Sequence, residues 1–276
     1  MKSGFKSKKP NYGFYYFKPY MLMLATFVVI GLGMLLVGKT IDRSSIQFIG
    51  VAIVAYGILT TLGWALARYV IPGNRIEFAK KVVASLNLKG DELILDVGSG
   101  RGLYAIELAK MLKKGKVIGI DLWNEKEIPN SIYHHKLSQP TGNTIYNALK
   151  NAEIEGVSEK IKFLNMDANH LQFGIDSFDI AICGFVIGHL REHGLNVLQE
   201  IKRILKPGGR LILIDNFRDI TYLLLSTFHL FVLSYLRGAK ARRLTKKNWI
   251  TNIKSAGFNI RRCEARKSII VVEGSI

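Results

Sequence analysis

The sequence predicts an α/β chain: a doubly wound, mostly parallel sheet of seven strands, preceded by two transmembrane helices. Three observations carry this expectation. From about residue 76 onward, short apolar runs alternate with segments of helical periodicity, which requires a parallel sheet with helices on both faces. One of these runs, Leu93-Ile-Leu-Asp-Val97, leads directly into glycines at 98, 100 and 102 and then into a helical pattern from Leu103 to Leu112. Ahead of all this, Met21 to Val37 and Ile46 to Ala67 contain no charged residue.

At the N-terminus, residues 1–20 form a basic, aromatic flank in which Lys2, Lys6, Lys8, Lys9 and Lys18 are interleaved with Tyr12, Phe14, Tyr15, Tyr16, Phe17 and Tyr20. Residues 21–72 then read as a transmembrane helical hairpin, with helices at about 21–38 and 46–67. Each uncharged stretch is close to the ~20 residues a helix needs to cross a bilayer, and Lys39-Thr-Ile-Asp-Arg43 makes the polar turn between them. In that setting the aromatic run is an interfacial belt, and the second apolar stretch argues against a cleaved signal peptide. Lysines crowd the N-terminal flank while the turn holds only Lys39 and Arg43. The positive-inside bias therefore puts both ends of the hairpin, and everything after it, in the cytoplasm. Pro72-Gly73-Asn74 closes the hairpin, and residues 73–276 make the main domain.

That domain opens on an amphipathic helix, Arg75 to Leu86. The strand at 93–97 is apolar at four of five positions, as expected of a strand buried on both faces. The spacing after it is G-x-G-x-G, with Leu103 where a dinucleotide fingerprint would place its third glycine. Asp96, just before the turn, suits an ammonium group better than a pyrophosphate. This tilts the reading from NAD toward S-adenosylmethionine, with a glycine turn that binds nothing as the alternative. Lys116 to Ile120 is a second strand ending in Asp121, about 20 residues past the turn, where a carboxylate can hold two ribose hydroxyls. Trp123 to Thr144 is irregular. His134-His135 lies within it, but no third ligand completes a metal-binding spacing, so no metal is expected. A helix over Thr144–Glu155, strands over 160–164 and 177–184, a helix over Leu195–Leu205 and a strand over 210–215 continue the alternation. Lys206-Pro-Gly-Gly209 reads as the stop between the last two.

Tyr222 to Leu236 breaks the pattern: it is apolar and uncharged, and Arg237-Gly-Ala-Lys-Ala-Arg-Arg-Leu-Thr-Lys-Lys247 follows it. Such a pair suits contact with an anionic lipid leaflet, each cation contributing roughly 1 kcal/mol near the surface. A helix packed on the sheet with a solvated basic tail is the alternative. A last helix at Trp249–Ala256 and strands at 258–265 and 268–272 close the chain. The overall net charge of +18 divides unevenly, as +7 over residues 1–72, +2 over 73–216 and +9 over 217–276. The two cysteines, Cys183 and Cys263, imply neither a disulfide framework nor a metal cluster, and Cys183 reads as a buried small hydrophobe.

From about residue 76 to the end, the chain resembles the class I S-adenosylmethionine-dependent methyltransferases, in the style of those acting on quinones and lipids. The resemblance rests on Asp96-Val-Gly-Ser-Gly-Arg-Gly102, Gly119-Ile-Asp121-Leu-Trp123, Asn165-Met-Asp167-Ala168, Phe178-Asp-Ile-Ala-Ile-Cys183 and Leu205-Lys-Pro-Gly-Gly-Arg-Leu211, in that order. It implies a Rossmann-like sheet with S-adenosylmethionine as cofactor. By the same resemblance, Asp96 and the turn at Gly98, Gly100 and Gly102 would hold the methionine moiety. Asp121 would take the ribose and Leu122 would pack on the adenine. Asp167 would accept from the adenine amino group with Ala168 beside it, and Cys183 and Gly184 would line the methyl-transfer site. His189, just past the fourth strand, is the candidate base, with an ordinary loop histidine as the alternative. The segment at about 218–247 lies where the family varies its substrate lid, and here that lid is apolar and basic.

The expected activity is methyl transfer to an apolar or lipid-like acceptor at the cytoplasmic membrane face. The alternatives are methylation of a protein or nucleic acid at the membrane, or a non-catalytic scaffold that binds the cofactor. No recognisable nucleic-acid module supports nucleic acid as a partner. The sequence names neither the acceptor atom nor the oligomeric state.

Overall fold

The computed structural model describes residues 9–12, 17–70, 75–123, 144–190, 194–217, 244–266 and 268–276. Side chains in the first two helices are described over 25–40 and 44–59, and those of His189 and Arg266 lie outside the description. These residues fall into two compact units, one holding 9–12, 75–217 and 244–276 and the other holding the first two helices.

In the larger unit, α3 (Arg75–Ala84) precedes β1 (Leu93–Val97), α4 (Leu103–Met111), β2 (Lys116–Asp121), α5 (Ile145–Ile154) and β3 (Ile161–Asn165). Then come β4 (Phe178–Gly184), α6 (Gly194–Ile204), β5 (Leu205–Asn216), α7 (Lys246–Ser255), β6 (Asn259–Arg266) and β7 (Ile269–Ser275). The strands form one seven-stranded sheet in the order β3-β2-β1-β4-β5-β7-β6. Residue alternation sorts the side chains by face. Ile94, Ile180, Ile182, Ile212 and Ile214 pack under α3, α4 and α5, whereas Leu95, Val97, Ala181, Cys183, Leu211 and Leu213 pack under α6 and α7. Burial on both faces explains why these strands read as unbroken apolar runs.

The sheet is mostly parallel, as expected, and it is mixed, because one strand at its C-terminal edge runs the other way. β1 to β5 are parallel, but β7 runs antiparallel to both β5 and β6. The link from Arg266 to Ile269, with Ser268 at φ +60°, has room for a tight turn only, whereas a parallel crossover needs a dozen residues or more. A second difference concerns Lys206-Pro-Gly-Gly209, expected as a stop before the strand. β5 begins at Leu205, opposite Phe178, and its ladder shifts register by Ile180 while Gly208 takes φ +76°. The motif is an irregular entry to the strand, not a separate turn. Helix ends move by a few residues where caps decide. Thr144 accepts from the Asn147 N–H ahead of α5, and Thr245 and Asn248 form a reciprocal capping box that starts α7 at Lys246 instead of Trp249.

The smaller unit is a helical hairpin of α1 (Phe17–Thr40) and α2 (Ser44–Val70). The two helices approach closely where Gly31 meets Gly50. A Cβ on Gly31 would lie 2.6 Å from a Val54 methyl and 2.9 Å from the Gly50 carbonyl, and one on Gly50 would lie 2.8 Å from the Gly31 carbonyl. Phe27 meets Tyr56 edge to face at 5.5 Å, and the Gln47 side-chain amide donates to the Gly38 carbonyl. Large apolar side chains face outward, among them Val29 (68% exposed), Leu36 (67%) and Phe48 (75%). The expectation of two transmembrane helices at about 21–38 and 46–67 is not supported. Among the described residues, no helix is long and apolar enough to cross a membrane.

The Gly31–Gly50 contact makes a prediction. Gly50→Ile must displace Leu35 and the facing backbone, and should destabilise the hairpin by about 1–3 kcal/mol. Gly33→Ile, where nothing lies within 4 Å of the new Cβ, should be tolerated. Thermal unfolding of the two variants followed by circular dichroism separates them. Equal loss in both would contradict the close crossing.

Candidate functional site

In the parallel part of the sheet the chain winds outward from β1 through β2 to β3, then returns to place β4 on the other side of β1. At such a switch point the loops beyond neighbouring strands diverge and leave a crevice at the strands' C-terminal ends. The glycine turn occupies this position. Gly98, Gly100 and Gly102 have φ values of +72°, +58° and +82°. Gly98 admits no side chain, because a Cβ there would collide with Val186.

Four backbone donors of the turn are already committed. Gly98 and Ser99 N–H both donate to the Ile120 carbonyl at 2.8 and 2.9 Å, Gly102 N–H donates to the Ser99 carbonyl at 2.8 Å, and Gly100 N–H donates to Asp121 Oδ2 at 2.7 Å. Asp96 takes the anion position at the start of α4. Its Oδ2 accepts from the Ser99 hydroxyl at 2.7 Å and from the Ala105 N–H at 3.0 Å. With these four N–H groups spent and a carboxylate already at the helix start, the turn is a poor seat for a pyrophosphate. The other oxygen of Asp96, Oδ1, is buried without a hydrogen-bond partner among the described residues. Burial pushes the Asp96 carboxyl up to about 7, against the pull of Ser99 and Ala105, with nearby Asp121 adding to the rise. A buried, unfilled acceptor of this kind fits an ammonium group.

Asp121 ends β2 next to the turn. Burial raises its pKa, while hydrogen bonds from Gly100 and Leu122 N–H pull the other way. The Trp123 indole donates to the Gly100 carbonyl at 2.9 Å and stands edge-on to Phe163 at 6.1 Å, so Gly100 is held through both its N–H and its carbonyl. Leu122 and Ala168 are partly exposed just beyond β2 and β3. Asp167 Oδ1 accepts from both the backbone N–H and the side-chain amide of Asn169 at 2.9 Å each, and the Asn169 Oδ1 is itself buried without a partner among the described residues.

The end of β4 closes the other side. Cys183 is fully buried, and desolvation, together with the carboxylates of Asp215 and Asp96, pushes its thiol well up. Gly184 lies against the Tyr104 ring, where any Cβ would clash. Phe185 takes φ +61°, a strained conformation for a bulky residue, and the Arg75 guanidinium sits 5.5 Å from its ring centre. Gly188 N–H donates to Asp215 Oδ2 at 2.8 Å, which fixes the 3₁₀ turn Ile187–His189 against the end of β5. The His189 side chain, His134, His135 and the segment 218–243 lie outside the described residues. Among the described residues, no group of three His, Cys, Asp or Glu is placed to hold a metal ion.

The structure thus brings Asp96, Gly98, Gly100, Asp121, Cys183 and Gly184 to one edge of the sheet. Sequence reasoning missed Ser99, Tyr104, Trp123, Asn169 and Asp215. For Asp215 a signal existed: Leu-Ile-Leu-Ile-Asp215 repeats the apolar-strand-then-aspartate pattern of Asp96 and Asp121. The Tyr104 and Trp123 contacts have no pattern in one sequence.

Residues 95–213 match the family model of the methyltransferase domain. The chain is 29% identical over 144 residues to the demethylmenaquinone methyltransferase of Lactiplantibacillus plantarum, covering 52% of this chain and 53% of that one. It is 30% identical over 161 residues to the demethylmenaquinone methyltransferase of Lactococcus lactis, covering 57% and 56%. The matches span about half the length of these relatives. Among solved structures, it is similar to a SAM-dependent methyltransferase from Aquifex aeolicus, with a TM-score of 0.52 at 22% identity, covering 78% of this chain and 98% of that one. That likeness speaks to the fold. Residues 95–213 match a methyltransferase domain and carry five strands of the seven-stranded, Rossmann-like sheet, and the cofactor this match implies is S-adenosylmethionine.

The buried carboxyl of Asp96 gives a pH prediction. Its folded-state pKa, about 7, is raised above the unfolded value of 3.8. The folded cofactor-free protein therefore keeps a proton that the unfolded chain has lost, and this group's contribution to stability falls as pH rises from about 4 to 7. A cationic ligand favours the ionised form, so affinity for S-adenosylhomocysteine, which keeps the amino group, should rise several-fold between pH 5.5 and 7.5. Asp96→Asn should bind more weakly and with a flatter pH profile. Calorimetric titration at both pH values checks this, and equal wild-type affinities would refute it.

Proposed function

We propose that this protein transfers a methyl group from S-adenosylmethionine to an apolar, lipid-like acceptor of the quinone kind at the cytoplasmic face of a membrane. The observation that carries the reading is one chain joining a methyltransferase domain to a hairpin whose outer faces are apolar and exposed. The 30% identity to demethylmenaquinone methyltransferases supports an acceptor of that class. Support for the membrane comes from the hairpin's large exposed apolar side chains, among them Val29, Leu36 and Phe48. The chain enters the hairpin from residues 9–12 and leaves it into α3, and both belong to the methyltransferase unit. A hairpin embedded in lipid would then return both ends to one face. The basic flank at 1–20 and the basic segment at 237–247 suit an anionic leaflet.

The cofactor supplies an already activated methyl on a sulfonium centre, so the protein's task is mainly alignment and exclusion of water. In this reading Asp96 Oδ1 takes the cofactor's ammonium, the glycine turn carries its methionine chain, and Asp121 takes the ribose hydroxyls. Asp167 and Ala168 take the adenine, with Leu122 on its face, while Cys183 and Gly184 form the floor behind the methyl. Asp96, Asp121 and Asp215 gather carboxyl groups at the strand ends, and a cationic donor favours their ionised form. A base is required only where the acceptor gives up a proton. His189 is the proposed base, in a turn whose preceding residue is anchored by Asp215.

Two experiments test this. Membranes containing the wild-type chain or Asp96→Asn are incubated with methyl-labelled S-adenosylmethionine and separated into solvent-extractable lipid, protein, nucleic acid and soluble fractions. Asp96-dependent label in the lipid fraction is expected. Label in protein or nucleic acid would replace the acceptor assignment, and no Asp96-dependent label would leave the scaffold reading. Once the acceptor is in hand, His189→Ala should lower kcat by about 10²-fold with cofactor affinity unchanged. Undiminished turnover would remove His189 from the mechanism.

A further inference from the structure

Residues 9–12 precede the hairpin in sequence, yet they lie on the methyltransferase unit beside the glycine turn. Asn151 of α5, 2% exposed, is the hub of the contact. Its Oδ1 accepts from the Asn11 N–H at 2.8 Å, and its amide nitrogen donates to the Asn11 carbonyl at 3.1 Å and to the Arg101 carbonyl at 3.0 Å. Only one orientation of the Asn151 amide satisfies all three bonds. Arg101, between Gly100 and Gly102, completes the loop: its guanidinium donates to the Asn11 carbonyl at 3.2 Å and to Asn11 Oδ1 at 2.6 Å. The next residue, Tyr12, is 7% exposed in the core under α4 and α5, and its hydroxyl donates to Glu155 at 3.4 Å. Glu155 in turn pairs with Lys110 of α4, which also holds Glu107.

The cofactor turn is therefore braced from two directions. Asp96, Ser99, Asp121 and Trp123 hold it from the sheet, and Asn11 and Asn151 hold it from outside through Arg101. A run of residues with left-handed glycines has little stiffness of its own, so an external brace changes how much order a ligand must impose. We propose that Asn11 is a positioning residue for the cofactor turn, so that the strap ahead of the hairpin is a working part of the methyltransferase domain. This rests on the reading of the turn as the S-adenosylmethionine seat. It adds a determinant outside the matched segment 95–213, and it ties the start of the hairpin to the cofactor affinity.

The test uses full-length chains. Asn11→Ala removes the side-chain acceptor for Arg101, the shorter of its two bonds to Asn11, and keeps the backbone carbonyl and the backbone bonds to Asn151, whereas Asn11→Asp keeps a side-chain acceptor there. Affinity for S-adenosylhomocysteine is measured by calorimetry, hydrogen exchange is followed at the amides of residues 98–102, and thermal midpoints are recorded. Expected for Asn11→Ala are about tenfold weaker binding and faster exchange in the turn, with a midpoint within about 2 °C of wild type. Asn11→Asp should stay within about threefold of wild-type affinity. Wild-type affinity in Asn11→Ala, or no recovery in Asn11→Asp, would overturn the proposal. Failure of the wild type itself to bind would instead remove the cofactor reading. The exchange rates would then decide the brace alone: faster exchange in Asn11→Ala upholds it and unchanged exchange refutes it.

Discussion

The buried carboxylate of Asp96 is the constraint on which the site depends. One oxygen ties the glycine turn to α4 by accepting from Ser99 and Ala105, and the other is buried without a hydrogen-bond partner among the described residues. A charge in that position is costly, and burial raises its carboxyl to about 7 despite the hydrogen bonds from Ser99 and Ala105. The arrangement favours a ligand that brings positive charge and hydrogen-bond donors to one point. The same carboxylate fills the helix start that a phosphate would otherwise take, so one residue both invites an ammonium and turns away a pyrophosphate.

Much of the larger unit was legible in the sequence, for a physical reason. Strands buried on both faces must be continuously apolar, so β1, β2, β4 and β5 announced themselves, and the aspartates at the ends of β1 and β2 stood out against them. Legibility failed where backbone hydrogen bonding overrides composition. Lys206-Pro-Gly-Gly209 has the composition of a turn but is carried into β5 by pairing beside β4. The antiparallel edge followed from the brevity of the link at Ser268 and not from any apolar pattern. Of the site, the glycines and the aspartates were readable because they are required by backbone geometry or charge. Tyr104 against Gly184, and Trp123 on the Gly100 carbonyl, were not, since each depends on a neighbour distant in sequence.

The hairpin shows the same division. Its two helices and the turn between them were evident from the uncharged stretches, but the crossing at Gly31 and Gly50 was hidden, because the two glycines belong to different helices and share no spacing motif. What those stretches could not establish alone was a span, and the described helices do not supply one. The apolar surface they do present is outward-facing, and is therefore a demand on the surroundings more than a contribution to the core.

Charge separates two tasks within the chain. The sheet edge proposed to receive the cofactor gathers Asp96, Asp121 and Asp215, carboxyl groups that suit a sulfonium and an ammonium when ionised. The excess of +7 before residue 73 and +9 after residue 216 lies outside the nearly balanced stretch that carries the strands and the turn. Cations at the ends would oppose a positively charged cofactor if they lined its seat. Arg101 is the informative exception, a cation inside the turn itself. Its guanidinium is directed to Asn11 on the strap, where its hydrogen bonds hold the turn's shape and its charge is kept at the exposed rim.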